Sequence, residues 1–182
     1  MERIQHALQN PLEPGDYRFV PPLEFVYRPA FGDATPFAIG SGADFLPDPP
    51  PALTSRAYAK SVNETRAFGR LHSTFRSQDQ TNFAAWWLKF NEIQWGRIMR
   101  QLTETRRLRL LESVRMFAPA NMANFDATVA VWYAKNFYDF WRPFHAIRLG
   151  DTDGNPLTVA DPSWTSEHIV PPLQEYPSAH AI

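Results

Sequence analysis

Cysteine is absent from the 182 residues. That removes disulfide frameworks, thiolate zinc sites, iron–sulfur clusters and thiol nucleophiles. An excess of charge is lacking too: 18 Lys and Arg stand against 19 Asp and Glu, a formal net charge of -1. No global field draws such a chain to nucleic acid or anionic lipid, so any anion site has to be local. No stretch approaches the roughly 18 uninterrupted apolar residues of a membrane span. The first ten residues carry Glu2, Arg3 and His6 and do not read as a secretory signal. The expectation is a soluble protein whose compartment is unassigned. What is plentiful is apolar surface: 44% of positions are hydrophobic, enough at this length for one domain with a sizeable core.

Seventeen prolines are present, and ten of them fall between Pro11 and Pro51, after which none occurs until Pro119. Prolines this frequent exclude a helix, since each removes a backbone donor and clashes with the preceding turn. Tyr17, Phe19, Phe25, Tyr27, Phe31, Phe37 and Phe45 are interleaved with them, and a disordered linker lacks such aromatics. Residues 1–51 therefore read as a proline-rich ordered strap, and residues 52–182 as a helical domain.

Within that domain, Tyr58, Val62, Phe68, Leu71 and Phe75 follow a Thr or Ser cap at helical spacing. A second helix is expected over 81–102, with an apolar stripe from Phe83 to Leu102 broad enough to make it central. A third runs over 108–122, where Pro119 should kink or end it. A fourth carries Phe125, Val129, Trp132, Phe137 and Phe140. After Arg148, Gly150, Gly154, Pro156 and Pro162 mark a long loop reaching Pro177. Loops beyond about 12–15 residues are usually functional or mobile. The fold class expected is an all-α helical bundle.

On the fourth helix, Lys135 and Arg142 stand seven apart, which places them about 20° from alignment on one face. Aromatic neighbours desolvate at least one of them, so a negative partner is needed. Asp139, between them, is the ordinary candidate for a salt bridge. Arg142 precedes Pro143, so the helix should end there and the guanidinium should project toward the loop. A planar fork beside an ammonium suits a tetrahedral oxyanion. At the far end of the loop, Pro177-Ser178-Ala179-His180 reads as a helix start with Ser178 as N-cap, directing the amides of Ala179 and His180 at an anion. His180 can serve there as acid or base. Taken alone, each of these signals has a plain structural explanation.

Together, Lys135, Arg142-Pro143 and Pro177-Ser178-Ala179-His180 resemble the first two motifs of the vanadium-dependent haloperoxidase and type 2 phosphatidic acid phosphatase superfamily. The strings "YDFWRPFHAIR", "DPSWTSEHIVPPLQEYPSAHA" and "FLPDPPPALTS" look like its soluble bacterial members. The resemblance implies a helical bundle in which Lys135 and Arg142 hold the equatorial oxygens of vanadate or phosphate. Ser178 and the amide of Ala179 add hydrogen bonds, and His180 is the acid-base histidine. Alanine at 179 replaces the motif's usual glycine but keeps its backbone donor.

The family's third motif, a Ser-Arg followed by a histidine, has no counterpart here beyond His180, so a chain missing its C-terminal part is the expectation. His145 and His168 are assigned surface or loop-packing roles. In haloperoxidase mode the partners implied are peroxide and halide. In phosphatase mode the partner is a phosphomonoester, hydrolysed through a phosphohistidine. Trp132 resembles a flanking aromatic of one haloperoxidase, whereas Leu173 stands where chloride-oxidising members have an aromatic. A non-catalytic remnant or interaction domain is the third reading, and apolar helix faces left uncovered would drive self-association into a homo-oligomer. Asp151, Asp153 and Asn155 imitate the opening of a calcium loop but lack its closing glutamate, so a polar turn is expected and no metal site. Arg97, Arg100, Arg106, Arg107, Arg109 and Arg115 read as a solvated face and not as a nucleic-acid surface.

Overall fold

The computed structural model describes residues 12–88 and 91–180, and its order is that of a helical protein: among the described residues there are five α-helices and no strand. These are α1 (Arg56–Phe68), α2 (Gln78–Trp87), α3 (Asn91–Arg106), α4 (Leu110–Tyr138) and α5 (Pro143–Arg148). Residues 1–11 of the expected strap, Phe90 of the expected second helix, and Ile182 lie outside the described residues.

Caps fix where these helices begin. Ser55 accepts from the amide of Tyr58 at 3.1 Å to open α1, and Ser77 with Gln80 forms a reciprocal capping box for α2. The first helix stops at Gly69 and does not reach Phe75, which is exposed. The second expected helix is two, α2 and α3, and neither is central: Phe83, Trp86, Trp95 and Ile98 all face outward. Its broad apolar stripe stays largely uncovered by the rest of the described chain.

The central element is α4, which joins the expected third and fourth helices into one of 29 residues. Pro119 sits inside it without ending it. Both Pro119 and Arg115, whose carbonyl loses its helical donor, are exposed, so water can satisfy the group that the ring leaves unpaired. Val129, Ala130, Val131, Trp132, Ala134 and Lys135 on its C-terminal half are buried.

Residues 12–51 cover that half. Two 3₁₀ turns, Phe31–Asp33 and Gly42–Phe45, lie on α4. They come so close that a β-carbon at Gly32 would stand 2.6 Å from the Tyr133 amide nitrogen, and one at Gly42 2.8 Å from Tyr133 Cβ. Between the turns, the buried Asp126 accepts from the amides of Phe37 at 2.6 Å, Ala38 at 2.7 Å and Ile39 at 3.3 Å. A carboxylate that satisfies three consecutive backbone donors pins a segment that has no helix or sheet of its own.

The opposite side of the molecule is closed by α1, α5 and the loop after it. Tyr58, Val62, Trp141, Ala146, Ile147 and Trp164 form one buried cluster. The loop is internally knit: Thr158 Oγ1 lies 2.9 Å from both carboxylate oxygens of Asp153, and Asn155 donates to the carbonyls of Leu53 and Ser55. Asp153 and Asn155 thus turn inward, and the described residues contain no cluster of three or more His, Asp or Glu side chains placed to hold a metal ion. No described helix is long and apolar enough to cross a membrane.

Candidate functional site: two cations and the loop before Pro177

Lys135 lies in the last turn of α4 and is 1% exposed. Arg142 is not on that helix. Asp139 adopts the left-handed conformation (φ 45°, ψ 40°) and its amide donates to the Lys135 carbonyl, ending α4 three residues before Arg142. Arg142 instead precedes Pro143 as the N-cap residue of α5, where proline's fixed φ suits a first helical position. The seven-residue spacing therefore does not align the two cations along one helix. A third segment brings them together.

That segment is 174–176, which is fastened on every side. The amide of Glu175 donates to the Phe140 carbonyl at 3.0 Å. Gln174, buried, donates from Nε2 to Asp139 Oδ1 at 3.1 Å. Just upstream, the amide of Tyr27 donates to the Pro172 carbonyl at 2.7 Å, and at the segment's far end the Tyr176 hydroxyl donates to the Asp48 carbonyl at 2.8 Å.

Both cations face this segment. Lys135 Nζ donates to the carbonyls of Gln174 at 2.6 Å and Glu175 at 3.0 Å. Arg142 Nη1 stands 2.7 Å from Glu175 Oε2, with the two side chains 15% and 36% exposed. The ion-pair partner that the sequence placed at Asp139 is therefore Glu175 for the arginine. The approach is not aligned as a hydrogen bond, and Arg142 Nε is buried with no acceptor among the described residues. Burial, chiefly, drives the Lys135 ammonium from its ordinary 10.5 to about 7; the Glu175 charge opposes this and the Arg142 charge adds to it.

Pro177-Ser178-Ala179-His180 follows directly. Ser178 is three residues beyond Glu175, so their Cα atoms are at most about 11 Å apart. Ser178 Oγ accepts from the His180 amide at 3.3 Å in a turn, so that amide is engaged by the chain itself. Ser178 also borders an apolar cavity of about 510 Å³, with Ala38, Ile39, Phe45, Ala130 and Ala134 in its wall; neither Lys135 nor Arg142 is in that wall. The exposed His180 packs edge-on to Trp87 at 5.9 Å. The described geometry brings Lys135 and Arg142 to one segment, while Ser178 and His180 face elsewhere on the next turn of chain.

Of the other candidates, the Trp132 indole donates to the Tyr27 carbonyl at 3.2 Å and packs on Tyr27 and Phe31, holding the strap. His145 is half-buried on α5 against Phe144; burial, with the Arg18 and Arg148 charges, lowers its pKa to about 4. Glu175 and Gln174 are the residues that sequence reasoning missed. The signal available was the demand of two cations for a negative partner, satisfied from 33 residues downstream of Arg142 and not from the helix itself.

The donor set fits a tetrahedral oxyanion. An ammonium has three donors, two of which are engaged by carbonyls, and the guanidinium fork retains a buried nitrogen with no acceptor.

Residues 115–182 match the profile of the VCPO second helical-bundle domain. The chain is 28% identical over 193 residues to the vanadium chloroperoxidase of Curvularia inaequalis, a match covering 88% of this chain and 31% of that protein. A bacterial vanadium-dependent iodoperoxidase shares the fold, with a TM-score of 0.64 at 21% identity over 97% of this chain and 45% of that one. The chain thus spans about a third of the first protein and under half of the second. Over residues 115–182 the chain is thus similar in sequence to the second helical-bundle domain of vanadium chloroperoxidase, and its fold is that of a vanadium-dependent iodoperoxidase.

Proposed function

We propose that this chain supplies the cationic half of an oxyanion site that takes vanadate, or phosphate in its place, and that the activity it serves is halide oxidation by peroxide. One observation carries the reading: Lys135 on α4 and Arg142 at the N-cap of α5 meet at the same short segment immediately ahead of Pro177-Ser178-Ala179-His180, and a carboxylate already lies against the arginine. A site that holds an anionic oxygen beside a guanidinium, with a further donor to spare, has the chemistry an oxyanion needs.

In this reading Arg142 and Lys135 would hold the oxyanion, the arginine through its guanidinium and the lysine through its remaining N–H. Ser178, the amide of Ala179 and His180 are the neutral donors and the proton carrier that the family resemblance implies, and they serve the site once the turn that carries them swings from its cavity and from Trp87 toward the cations. Bound vanadate supplies the centre at which peroxide is activated toward halide. The chain's own part is to neutralise the ligand's negative charge with donors fixed before it arrives, at low reorganisation cost.

Vanadium NMR tests this. The orthovanadate signal should broaden on addition of the wild-type chain, recover with excess inorganic phosphate, and broaden less with Lys135→Ala. A signal indifferent to the protein, or identical with both chains, contradicts the proposal.

A further inference from the structure

We propose that Glu175 is an affinity-determining residue of this site: its carboxylate occupies the Arg142 fork until a tetrahedral oxyanion displaces it. The inference rests on the oxyanion-binding reading above. A carboxylate and an oxyanion present the same negatively charged oxygens to a guanidinium, so the two compete for the Nη1 edge that Glu175 Oε2 now meets.

Several features suit the carboxylate to leaving. Its pairing is incomplete: Oε2 is 2.7 Å from Nη1, yet neither that oxygen nor Arg142 Nε has an aligned hydrogen-bond partner among the described residues. Its backbone is fixed at both ends of the residue, the amide on the Phe140 carbonyl and the carbonyl on Lys135 Nζ. Displacement therefore needs only side-chain rotation and leaves the segment in place. The glutamate is the outer member of the pair, about a third exposed, whereas the arginine is mostly covered. The contacting oxygen, Oε2, is itself buried without an aligned partner, so rotation into water gains it solvation, and partly exposed ion pairs hold such side chains only weakly.

The consequence is selectivity for ligand shape. A carboxylate ligand meets a tethered competitor of its own charge and shape in the site, whereas an XO4-type ion can offer oxygens to both Arg142 and Lys135. The residue then sets a threshold that favours tetrahedral oxyanions over carboxylates such as acetate.

Calorimetric titration of the full chain with orthovanadate, and separately with acetate, tests this in wild type, Glu175→Gln, Glu175→Ala and Arg142→Ala. Glu175→Gln is expected to bind orthovanadate about two- to fivefold more tightly than wild type, a change of the size that a partly exposed ion pair can supply. Acetate is expected to bind Glu175→Ala and not wild type, a readout that a merely structural role for the carboxylate does not produce. It also keeps the proposal testable if Glu175→Gln misfolds. Orthovanadate binding that is unchanged or weaker in both Glu175 variants, with no acetate binding to Glu175→Ala, overturns this proposal while Arg142→Ala still weaker than wild type leaves the oxyanion reading intact. Identical orthovanadate isotherms for wild type and Arg142→Ala overturn the oxyanion reading itself.

Discussion

The ammonium of Lys135 is held 2.6 Å from the main-chain oxygen of Gln174, 39 residues away, in a site almost closed to solvent. A helix end and a loop are thereby tied together through a group that is costly to bury charged. The rest of the candidate site is arranged around this tie.

That cost is visible as pH dependence. Burial lowers the Lys135 pKa from 10.5 to about 7, so between those values the unfolded chain binds a proton that the folded chain does not. Stability from this group is least below pH 7 and rises as pH increases toward 10.5. Urea midpoints measured across that window should climb in wild type relative to Lys135→Met. Parallel profiles for the two chains would contradict the assignment.

His145 acts at the acid end. Its folded-state pKa, lowered from 6.5 to about 4 mainly by burial, means that the unfolded chain takes up a proton first as pH falls. Stability is lost from pH 6.5 down to 4. In acid unfolding followed by circular dichroism, His145→Gln should lose less stability than wild type over that interval.

Asp126 is predicted to govern the strap. Asp126→Ala leaves the amides of Phe37, Ala38 and Ile39 without their acceptor. Hydrogen exchange should accelerate at those three amides, with little change at the core cluster around Trp141 and Ile147. Unchanged exchange at 37–39 would show that other contacts hold the segment.

Gly32 tests the close crossing of strap and helix. Its added β-carbon would meet Tyr133 main-chain atoms at 2.6 and 2.8 Å, and backbone yields less readily than a side-chain tip. Gly32→Ala should destabilise the protein by about 1–3 kcal/mol in urea unfolding, the usual range for overpacking. An effect below about 0.5 kcal/mol, the range of ordinary surface substitutions, would mean that the strap shifts freely.

How far these features were legible in the sequence depends on whether they are local. Helix existence was readable where an apolar period coincided with a cap, as at Ser55 and Tyr58. Of the kink or end expected at Pro119, the end is not realised, because a proline in an exposed turn leaves its orphan carbonyl to water, a circumstance no pattern reveals. Spacing misled at Asp139: a left-handed residue between Lys135 and Arg142 ended the helix, so the motif's spacing reflects a turn and not a continuous face. The cations themselves were legible, as was their need for an anionic partner. The partner was not, because Glu175 reaches Arg142 through tertiary packing of a loop, and intrahelical spacing pointed to Asp139. The apolar face of α2 and α3 was correctly seen as broad, but breadth does not say whether anything covers it.

The central claim is that Lys135 and Arg142 form one anion-binding unit, and orthovanadate calorimetry at about pH 6, where Lys135 carries its charge, tests it most directly. Saturable binding by wild type that weakens by about tenfold or more in both Arg142→Ala and Lys135→Ala, as expected when a charge-assisted contact is lost, is the predicted result. Superimposable isotherms for the three chains would contradict it.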